Sequence, residues 1–458
     1  MASRLEHDML GEMALPAAAY YGIHTARAVA NFPLSGRNVA PELIQALARV
    51  KKACCQANAE LEFIDSERAA AIIAACDEIS AGGLAEQFIT DALQGGAGTS
   101  TNMNVNEVIA NRALEILHRP RGDYRFIHPL DHVNLHQSTN DVYPTALKAA
   151  AIMQLRTLSE KLARLQEALQ RREKDFADIV KIGRTEMQDA VPMTLGAEFA
   201  AFAEAFARDR WRTFKAEERL RTVNLGGTAI GTGITAPRSY IFLVIEKLRE
   251  LTGMGLTRGE NCIDQTANQD AFVEAAAMLN ACAVNFIKVA RDLRLLHMLG
   301  EIRLPSVQAG SSIMPGKVNP VIVESLIQGG MQVASCEHLV GQCAAAGTLQ
   351  INEYMPLLAD SLLTALRLLD RMCGMLTPCV EQLVPDPDRC LEHLDRCPMV
   401  ITAFIPLIGY DRALALVEEF RRRNDGGGLR EFLASRLDPA LVEKVLRPYN
   451  LMALGYRD

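Results

Sequence analysis

The sequence predicts an all-α protein built around a bundle of long helices. Neither glycine nor proline occurs in residues 145–182, 197–225 or 260–299, and segments this long exceed an ordinary globular helix. In the first segment, apolar residues recur every three or four positions and so share one helix face: Ile152, Leu155, Leu158, Leu162, Leu165 and Leu169. Such helices stabilise each other by bundling, and the sequence contains neither an alternating strand pattern nor a βαβ rhythm.

The distribution of these segments predicts three domains. Residues 1–137 mix helical and irregular polar stretches and form an N-terminal, mainly helical domain. Residues 138–389 contain the long segments and form the central long-helix bundle. Closely spaced prolines then shorten the pattern, so residues 390–458 form a small C-terminal helical domain. The run Gly426-Gly427-Gly428 predicts a flexible turn inside it.

The N-terminal domain shows its helices less clearly. Residues 40–81 are helical apart from a break at residues 63–66, where Asp65 or Ser66 can cap the second helix. A glycine-rich polar loop follows at residues 94–104, and a helix is expected from about Val105 to His118. Residues 119–144 are irregular and polar.

Composition excludes several classes of protein. The 458 residues carry 48 basic and 55 acidic side chains, a net charge of −7, with no basic stripe, so a nucleic-acid partner is not expected. No charge-free apolar run is long enough to span a membrane, and the N-terminus lacks the features of a signal peptide. The eleven cysteines form no C-x-x-C motif, which fits reduced thiols in a cytoplasmic protein. No motif calls for a metal ion or a cofactor.

Four polar loops beside the helices contain the candidate site residues. If the helix ends gather, the loops converge, and their neutral donors with one cation suit a small dianionic substrate. The alternative is that these side chains merely cap helices. The candidates are Thr99 in loop 94–104, Ser138, Thr139 and Asn140 at the end of 119–144, Thr185 and Glu186 in loop 183–190, and Ser311, Ser312, Lys317 and Asn319 in loop 310–320.

The serines do not fit the familiar nucleophile motifs. No G-x-S-x-G elbow surrounds them, and the lysine at 317 lacks the glycine and hydroxyl residues of a P-loop. The remaining role for Ser311 is that of a general base. A hydroxyl serves as a base near neutral pH only if positive charge and backbone donors stabilise its anion, and Lys317 and the loop amides can do so.

The loop Gly310-Ser311-Ser312-Ile313-Met314-Pro315-Gly316-Lys317-Val318-Asn319-Pro320 resembles the signature loop of the aspartase/fumarase superfamily. The resemblance extends from about residue 4 to the C-terminus. Three further segments are most similar to the aspartase branch: Tyr21-Gly22-Ile23-His24-Thr25, Gly98-Thr99-Ser100-Thr101-Asn102-Met103-Asn104 and Gln137-Ser138-Thr139-Asn140-Asp141-Val142-Tyr143-Pro144-Thr145.

The resemblance implies a fold and an assembly. It implies a three-domain, all-α homotetramer with a twenty-helix core, in which each active site is shared between subunits. It also implies a carbon–nitrogen lyase that acts on a small dicarboxylate, by reversible anti-elimination of ammonia from L-aspartate to give fumarate.

The resemblance also implies a role for each candidate. Ser311 would take a proton from the carbon next to one carboxylate, which becomes an aci-carboxylate dianion. Thr99, Ser138, Thr139 and Ser312 would hold that group, Lys317 and Asn319 would bind the other carboxylate, Asn140 and Thr99 would lie by the amino group, and Thr185 and Glu186 would lie near the leaving group.

One departure keeps alternatives open. The family usually has His or Gln where this chain has Glu186, and a carboxylate there suits an ammonium ion or a substituted amine. The alternatives are therefore a lyase for N-substituted aspartates, a fumarate hydratase, and an inactive structural homologue. The intact Ser311, Lys317 and Asn319 argue against the last of these.

Overall fold

The computed structural model describes residues 2–423, 427–451 and 455. Its strands are β1 (Ser3–Asp8), β2 (Gly11–Pro16), β3 (Val180–Thr185), β4 (Gln188–Thr194), β5 (Thr222–Val223), β6 (Thr257–Arg258), β7 (Ile302–Arg303) and β8 (Val384–Pro385). Its helices are α1 (Ile23–Asn31), α2 (Pro41–Glu60), α3 (Ser66–Ser80), α4 (Thr99–Ile116), α5 (Thr139–Asp175), α6 (Leu195–Leu220), α7 (Arg238–Thr252), α8 (Cys262–Ala267), α9 (Asp270–Leu299), α10 (Val321–Ala345), α11 (Met355–Gln382), α12 (Pro387–Arg396), α13 (Ile405–Ile408), α14 (Tyr410–Arg422), α15 (Leu429–Arg436), α16 (Pro439–Val445) and α17 (Pro448–Leu451). The all-α prediction is confirmed. The turn expected at Gly426 falls on a residue outside this description.

The chain forms two compact units. The first consists of Met1–Leu158, Arg212–Ala281 and Gln332–Leu369, and the second of Ser159–Trp211, Cys282–Met331 and Asp370–Asp458. The boundary falls inside each of the five longest helices, α5, α6, α9, α10 and α11. The division into three domains stays a prediction.

Three of the five long helices, α5, α6 and α9, follow from the glycine- and proline-free segments, whereas α10 and α11 contain glycine or proline. Helix α5 begins earlier than expected. It contains Pro144, which has no N–H to donate to the carbonyl of Asn140 one turn before it. That carbonyl instead accepts a hydrogen bond from the side-chain amide of Asn224, at 2.9 Å. A side chain from elsewhere in the first unit therefore lets the helix continue through the proline.

Helix α4 also begins earlier than expected, at Thr99 rather than Val105. Its first two turns are rich in Thr and Asn, which have low helix propensity, so the sequence favoured a loop. Thr101, Asn102, Asn104 and Asn106 are nevertheless buried. Packing and buried hydrogen bonds override local propensity here.

The described residues also form four two-stranded sheets, which the sequence pattern did not indicate, and two of them are hairpins of six or seven residues per strand. β1 pairs with β2, and β3 pairs with β4, both antiparallel. The second hairpin replaces the loop expected at 183–190. Its strands are six and seven residues long and mix charged, polar and apolar residues, with a register irregularity between Ile182 and Arg184, so no clear apolar alternation marks them in the sequence.

The C-terminal helices pack around an apolar cluster within the second unit. Leu394, Ile401, Phe404 and Phe432 are buried together, and Ile182 from β3 joins them. The hairpin is therefore attached to the C-terminal segment through its own apolar residue.

Helix α9 is, in the part of the chain described, long and apolar enough to cross a membrane by length and composition. A buried core helix meets the same two criteria, and 44% of the most apolar window of α9 is buried within the protein. Length and composition therefore do not assign α9 to a membrane.

Candidate active site

Thr99 is the first residue of α4, and the turn before it depends on a glycine. Gly98 has a φ of 95°, and a Cβ at this position would lie 2.4 Å from Cδ2 of Tyr143. Only glycine permits both the conformation and the contact. The turn therefore presses against Tyr143 and leaves Thr99 exposed at a helix N-terminus, where N–H groups favour an anion.

Ser138, Thr139 and Asn140 lie where α5 begins. Ser138 Oγ accepts a hydrogen bond from the backbone N–H of Asn140 at 3.2 Å, and Thr139 Oγ1 accepts one from the amide of Asn102 at 3.0 Å. Each hydroxyl keeps its own proton for donation to a ligand. The side-chain amide of Asn140 donates to the carbonyl of Ala229 at 2.7 Å, which leaves its second N–H.

Asp141 follows these residues directly and is fully buried. Its carboxylate accepts backbone N–H bonds from Ser138 at 3.0 Å, Gly226 at 3.1 Å and Thr228 at 3.0 Å. Burial raises the pKa of Asp141 to about 6, against the opposing effect of these donors. The Asp141 carboxylate thus holds both the start of α5 and the loop at residues 226–228.

Lys51 holds the segment just before α5, although it was not among the candidates from the sequence. It is fully buried, and its ammonium donates to Asn134 Oδ1 at 2.7 Å and Gln137 Oε1 at 2.9 Å. Burial lowers the pKa of Lys51 to about 8. Nothing local in the sequence separates this lysine from a surface one, because its neighbours come from distant segments.

Glu107 plays a comparable role at the N-terminus of α1. Its carboxylate accepts bonds from the backbone N–H groups of Gly22 at 2.8 Å and His24 at 2.9 Å, and from Thr25 Oγ1 at 2.6 Å. Burial raises the pKa of Glu107 to about 7. The segment Tyr21–Thr25, which carries part of the family resemblance, is therefore held by a carboxyl that the sequence analysis missed.

Thr185 and Glu186 lie at the end of the β3–β4 hairpin. Thr185 pairs with Gln188, and the two residues between them, Glu186 and Met187, have φ values of 51° and 63°. Positive φ at both central positions defines the type I′ turn, which usually contains Asn or Gly. All four residues are exposed, so Glu186 projects from a narrow turn into solvent.

The loop with Ser311 closes on itself. The backbone N–H of Gly310 donates to the carbonyl of Lys317 at 2.8 Å, and the amide of Asn319 donates to the carbonyl of Gly310 at 2.9 Å. A Cβ on Gly310 would lie 2.7 Å from the Lys317 carbonyl oxygen, so the closure requires glycine. One N–H of the Asn319 side chain is thus hydrogen-bonded within the loop, and the other remains for a ligand.

The Ser311 hydroxyl accepts hydrogen bonds from two backbone N–H groups of its own loop. Its Oγ accepts bonds from the N–H groups of Ile313 at 3.2 Å and Met314 at 2.9 Å. These bonds stabilise an alkoxide more than a neutral hydroxyl and so favour loss of the proton. Ser312 and Lys317 are exposed on the same loop.

A groove of about 970 Å³ within the second unit joins the loop and the hairpin. Asn319 and Met187 both line it, together with three cationic side chains, Lys288, Arg291 and Arg294. Asp292 and Glu324 are the acidic residues in its wall. The cations outnumber the acids, which suits an anionic ligand.

The predicted site residues fall into two sets. Thr99, Ser138, Thr139 and Asn140 belong to the first unit, and Thr185, Glu186, Ser311, Ser312, Lys317 and Asn319 belong to the second. Among the residues that the structure describes, no group of three His, Cys, Asp or Glu side chains could hold a metal ion.

Comparison with known proteins identifies the class. Residues 11–335 match the lyase family. An aspartate ammonia-lyase of Pseudomonas aeruginosa is 42% identical over 463 residues, covering 99% of this chain and 97% of the relative.

Solved structures agree with this match. A fumarate lyase:delta crystallin from Brucella melitensis, bound to cobalt, is 45% identical with a TM-score of 0.93, and the match covers 99% of this chain and 100% of that one. A class II fumarase from Schistosoma mansoni is 31% identical with a TM-score of 0.91, covering 98% of each chain.

The chain therefore belongs to the lyase family. Within it, the chain is a carbon–nitrogen lyase of the aspartase/fumarase superfamily, as the resemblance at Gly310–Pro320 implied.

Proposed function

We propose that this lyase catalyses the reversible anti-elimination of ammonia from L-aspartate to give fumarate. The observation that carries the proposal is the Ser311 hydroxyl, which accepts two backbone N–H bonds in a loop that also presents Lys317. The name and the near-complete coverage of the Pseudomonas aeruginosa relative support aspartate as the substrate.

In the proposed reaction, the Ser311 alkoxide takes a proton from the carbon next to the distal carboxylate. The electron pair of that C–H bond moves into the carboxylate, which becomes an aci-carboxylate dianion. The pair then returns to form the carbon–carbon double bond, and the C–N bond breaks with its electrons on nitrogen. Ammonia leaves, and Ser311 is protonated once per turnover.

The proposed binding groups are donors that keep a free hydrogen. The hydroxyls of Ser138 and Thr139 accept from protein groups and can donate to the carboxylate that becomes the dianion. Thr99 and Ser312, both exposed, would complete this set. Such donors accelerate the reaction because they bind the dianion more strongly than the ground state.

The other groups would orient the substrate. Lys317 and the second N–H of Asn319 would bind the remaining carboxylate. Asn140 and Thr99 would lie by the amino group, and Thr185 and Glu186 near the departing nitrogen. A carboxylate at Glu186 attracts an ammonium group and repels a hydroxyl leaving group's developing negative charge, which favours the amine substrate over malate.

We also infer a cytoplasmic homotetramer whose active sites draw on several subunits. Large apolar side chains exposed on the long helices support assembly, including Val284 at 56%, Met298 at 71% and Met331 at 57% exposure. The eleven cysteines are buried and free, which fits a reducing compartment.

A second candidate is a lyase for N-substituted aspartates. The exposure of Glu186 at the end of a turn favours it, because a larger substituted amine would meet no packed side chain there. Fumarate hydration is a weaker alternative because three segments resemble the aspartase branch of the family. An inactive structural role is weaker because Ser311, Lys317 and Asn319 are all present.

The direct test is to mix the purified protein with L-aspartate and follow the ultraviolet absorbance of fumarate. We expect a rise with aspartate and little or none with L-malate. Turnover of N-substituted aspartates without turnover of aspartate would favour the second candidate. No product from any of these compounds would contradict both.

A further inference from the structure

A buried carboxylate connects three separate segments of the second unit. Glu301 lies between the end of α9 and strand β7 and is fully buried. Its Oε1 accepts from Arg184 Nη1 at 2.7 Å and lies 2.9 Å from His393 Nδ1, while its Oε2 lies 3.1 Å from Lys181 Nζ. Lys181 and Arg184 belong to β3, and His393 belongs to α12.

The backbone around Glu301 makes the same connection. Its carbonyl accepts from the N–H of Asp386, and β7 pairs with β8 just beyond it. Arg389 of α12 donates to the carbonyl of Leu299 at 3.2 Å. The C-terminal segment is therefore attached to the chain immediately before the loop that carries Ser311.

The position of Glu301 in the sequence gives these contacts their significance. Arg184 lies on the strand that leads directly into Glu186, and Glu301 lies on the segment that leads into Ser311. Glu186, proposed to lie near the leaving group, is in the exposed turn after Arg184. Ser311, the proposed base, is in the exposed loop after Glu301. One carboxylate thus connects the segments that lead into the hairpin and into the Ser311 loop, whose residues act together in the proposed reaction.

We propose that Glu301 is a positioning residue that holds the Glu186 hairpin, the Ser311 loop and α12 in fixed positions relative to each other. The proposal rests on the proposed function for its kinetic consequence alone. Glu301 touches neither substrate nor reacting atoms, and it acts through Arg184 and through its own backbone.

The local charges make the proposal testable without removing the cluster. Lys181 also lies 2.6 Å from Glu198, and Arg184 also lies 2.9 Å from Asp189. In Glu301→Gln each cation therefore keeps one carboxylate, and no cation is left buried alone. The variant removes the central connection but keeps the shape of the side chain.

The experiment compares Glu301→Gln with wild type by hydrogen exchange of the whole enzyme and by steady-state kinetics. We expect faster exchange in both 180–194 and 302–320, and a kcat lower by about 10²-fold, the cost of misplacing reacting groups by about 1 Å. KM for aspartate should change less than kcat, because Thr99 and Ser138–Asn140 lie on other elements and only Lys317 and Asn319 share the affected loop.

Glu217→Gln is the matched control. Glu217 is also buried and pairs with Arg156 and Arg221 at 2.9 Å, but it belongs to the first unit, whereas both exchange segments belong to the second. It should lower the melting temperature and leave kcat and the exchange of 180–194 and 302–320 unchanged. A similar kcat loss in both variants would overturn the proposal in favour of a merely structural role.

His393→Ala gives a second measurement in case Glu301→Gln fails to fold, since His393 lies at the edge of the cluster. It should speed exchange in the same two segments to a smaller extent. Faster exchange in neither segment, or in one alone, would overturn the proposal. If wild type turns over no aminosuccinate, the proposed function fails, and the exchange result still decides the role of Glu301.

Discussion

The candidate residues of the first unit and those of the second are equally polar but differently supported. Ser138 and Thr139 rest on buried charged groups, and Asp141 alone binds three backbone N–H groups. Ser311 and Lys317 lie in a loop that is bonded mainly to itself. The difference indicates that Ser138 and Thr139 are preorganised by buried groups, whereas the positions of Ser311, Lys317 and Asn319 depend on the bonds of their own loop.

Removal of the base should give the largest effect. Ser311→Ala should lower kcat by at least about 10²-fold, the usual contribution of a general base, because no other group in the loop accepts the proton. The measurement is fumarate release at saturating aspartate, with size-exclusion chromatography to verify that the assembly persists.

Ser306→Ala is the control, since this exposed serine lies in the same segment outside the signature. It should keep wild-type activity. Substantial turnover by Ser311→Ala would refute the assignment of the base and would leave loop 310–320 without a residue that takes the proton.

The buried carboxyls should make the first unit sensitive to pH. Burial raises the pKa of Glu107 from 4.5 to about 7, so the folded protein binds this proton more tightly than the unfolded chain does. Stability is therefore lost as pH rises from about 4.5 to about 7, and the loss approaches about 3 kcal/mol at roughly 1.4 kcal/mol per pKa unit.

Glu107→Gln cannot ionise and should escape this loss. The variant should be less stable than wild type at pH 5, where an amide N–H faces backbone donors, and should gain on wild type towards pH 8. The measurement is the gap, defined as the difference in melting temperature between variant and wild type, at pH 5, 6.5 and 8. For Glu217→Gln the gap should stay constant, because its partners hold the pKa of Glu217 below its usual value despite burial. A constant gap for Glu107→Gln would show that Glu107 does not titrate in this range.

The smallest effect is expected at the end of the hairpin. Glu186→Gln should shift the ratio of kcat/KM between aspartate and N-substituted aspartates by at most about fivefold, because an exposed charge contributes no more than about 1 kcal/mol. Gln188→Ala, on the neighbouring exposed position, should leave the ratio unchanged. A change of a hundredfold would mean that Glu186 is enclosed when substrate is bound.

The sequence predicted the long helices α5, α6 and α9 because the absence of glycine and proline and the spacing of apolar residues are local signals. The break at residues 63–66 was also found correctly, and Asp65 accepts from the N–H of Arg68 as a cap. The start of α4 was missed because buried asparagines stabilise it, and Pro144 was read as a boundary because the compensating Asn224 is distant in sequence. The β3–β4 hairpin was missed because its strands show no clear apolar alternation and its turn has Glu186 and Met187 where Asn or Gly is usual.

The site was predicted only in part, for a similar reason. The signature loop and the hydroxyl residues are contiguous motifs, so the sequence pointed to them directly. Lys51, Glu107 and Glu301 act through partners far along the chain, and an isolated Lys or Glu looks like a surface residue until burial is known. The assembly of the two sets of residues into one site remains a prediction.

The turn at Glu186 and Met187 has an evolutionary consequence. Its side chains project into solvent, so exchanging Glu186 disturbs no packing, and a surface substitution of this kind usually changes stability by no more than about 0.5 kcal/mol. A lineage can therefore vary the residue at the position proposed to lie near the leaving group while the signature loop and the buried carboxylates stay fixed. Substrate choice in this enzyme can diverge through a position whose side chain is unpacked, within the limits set by the positive φ of the turn.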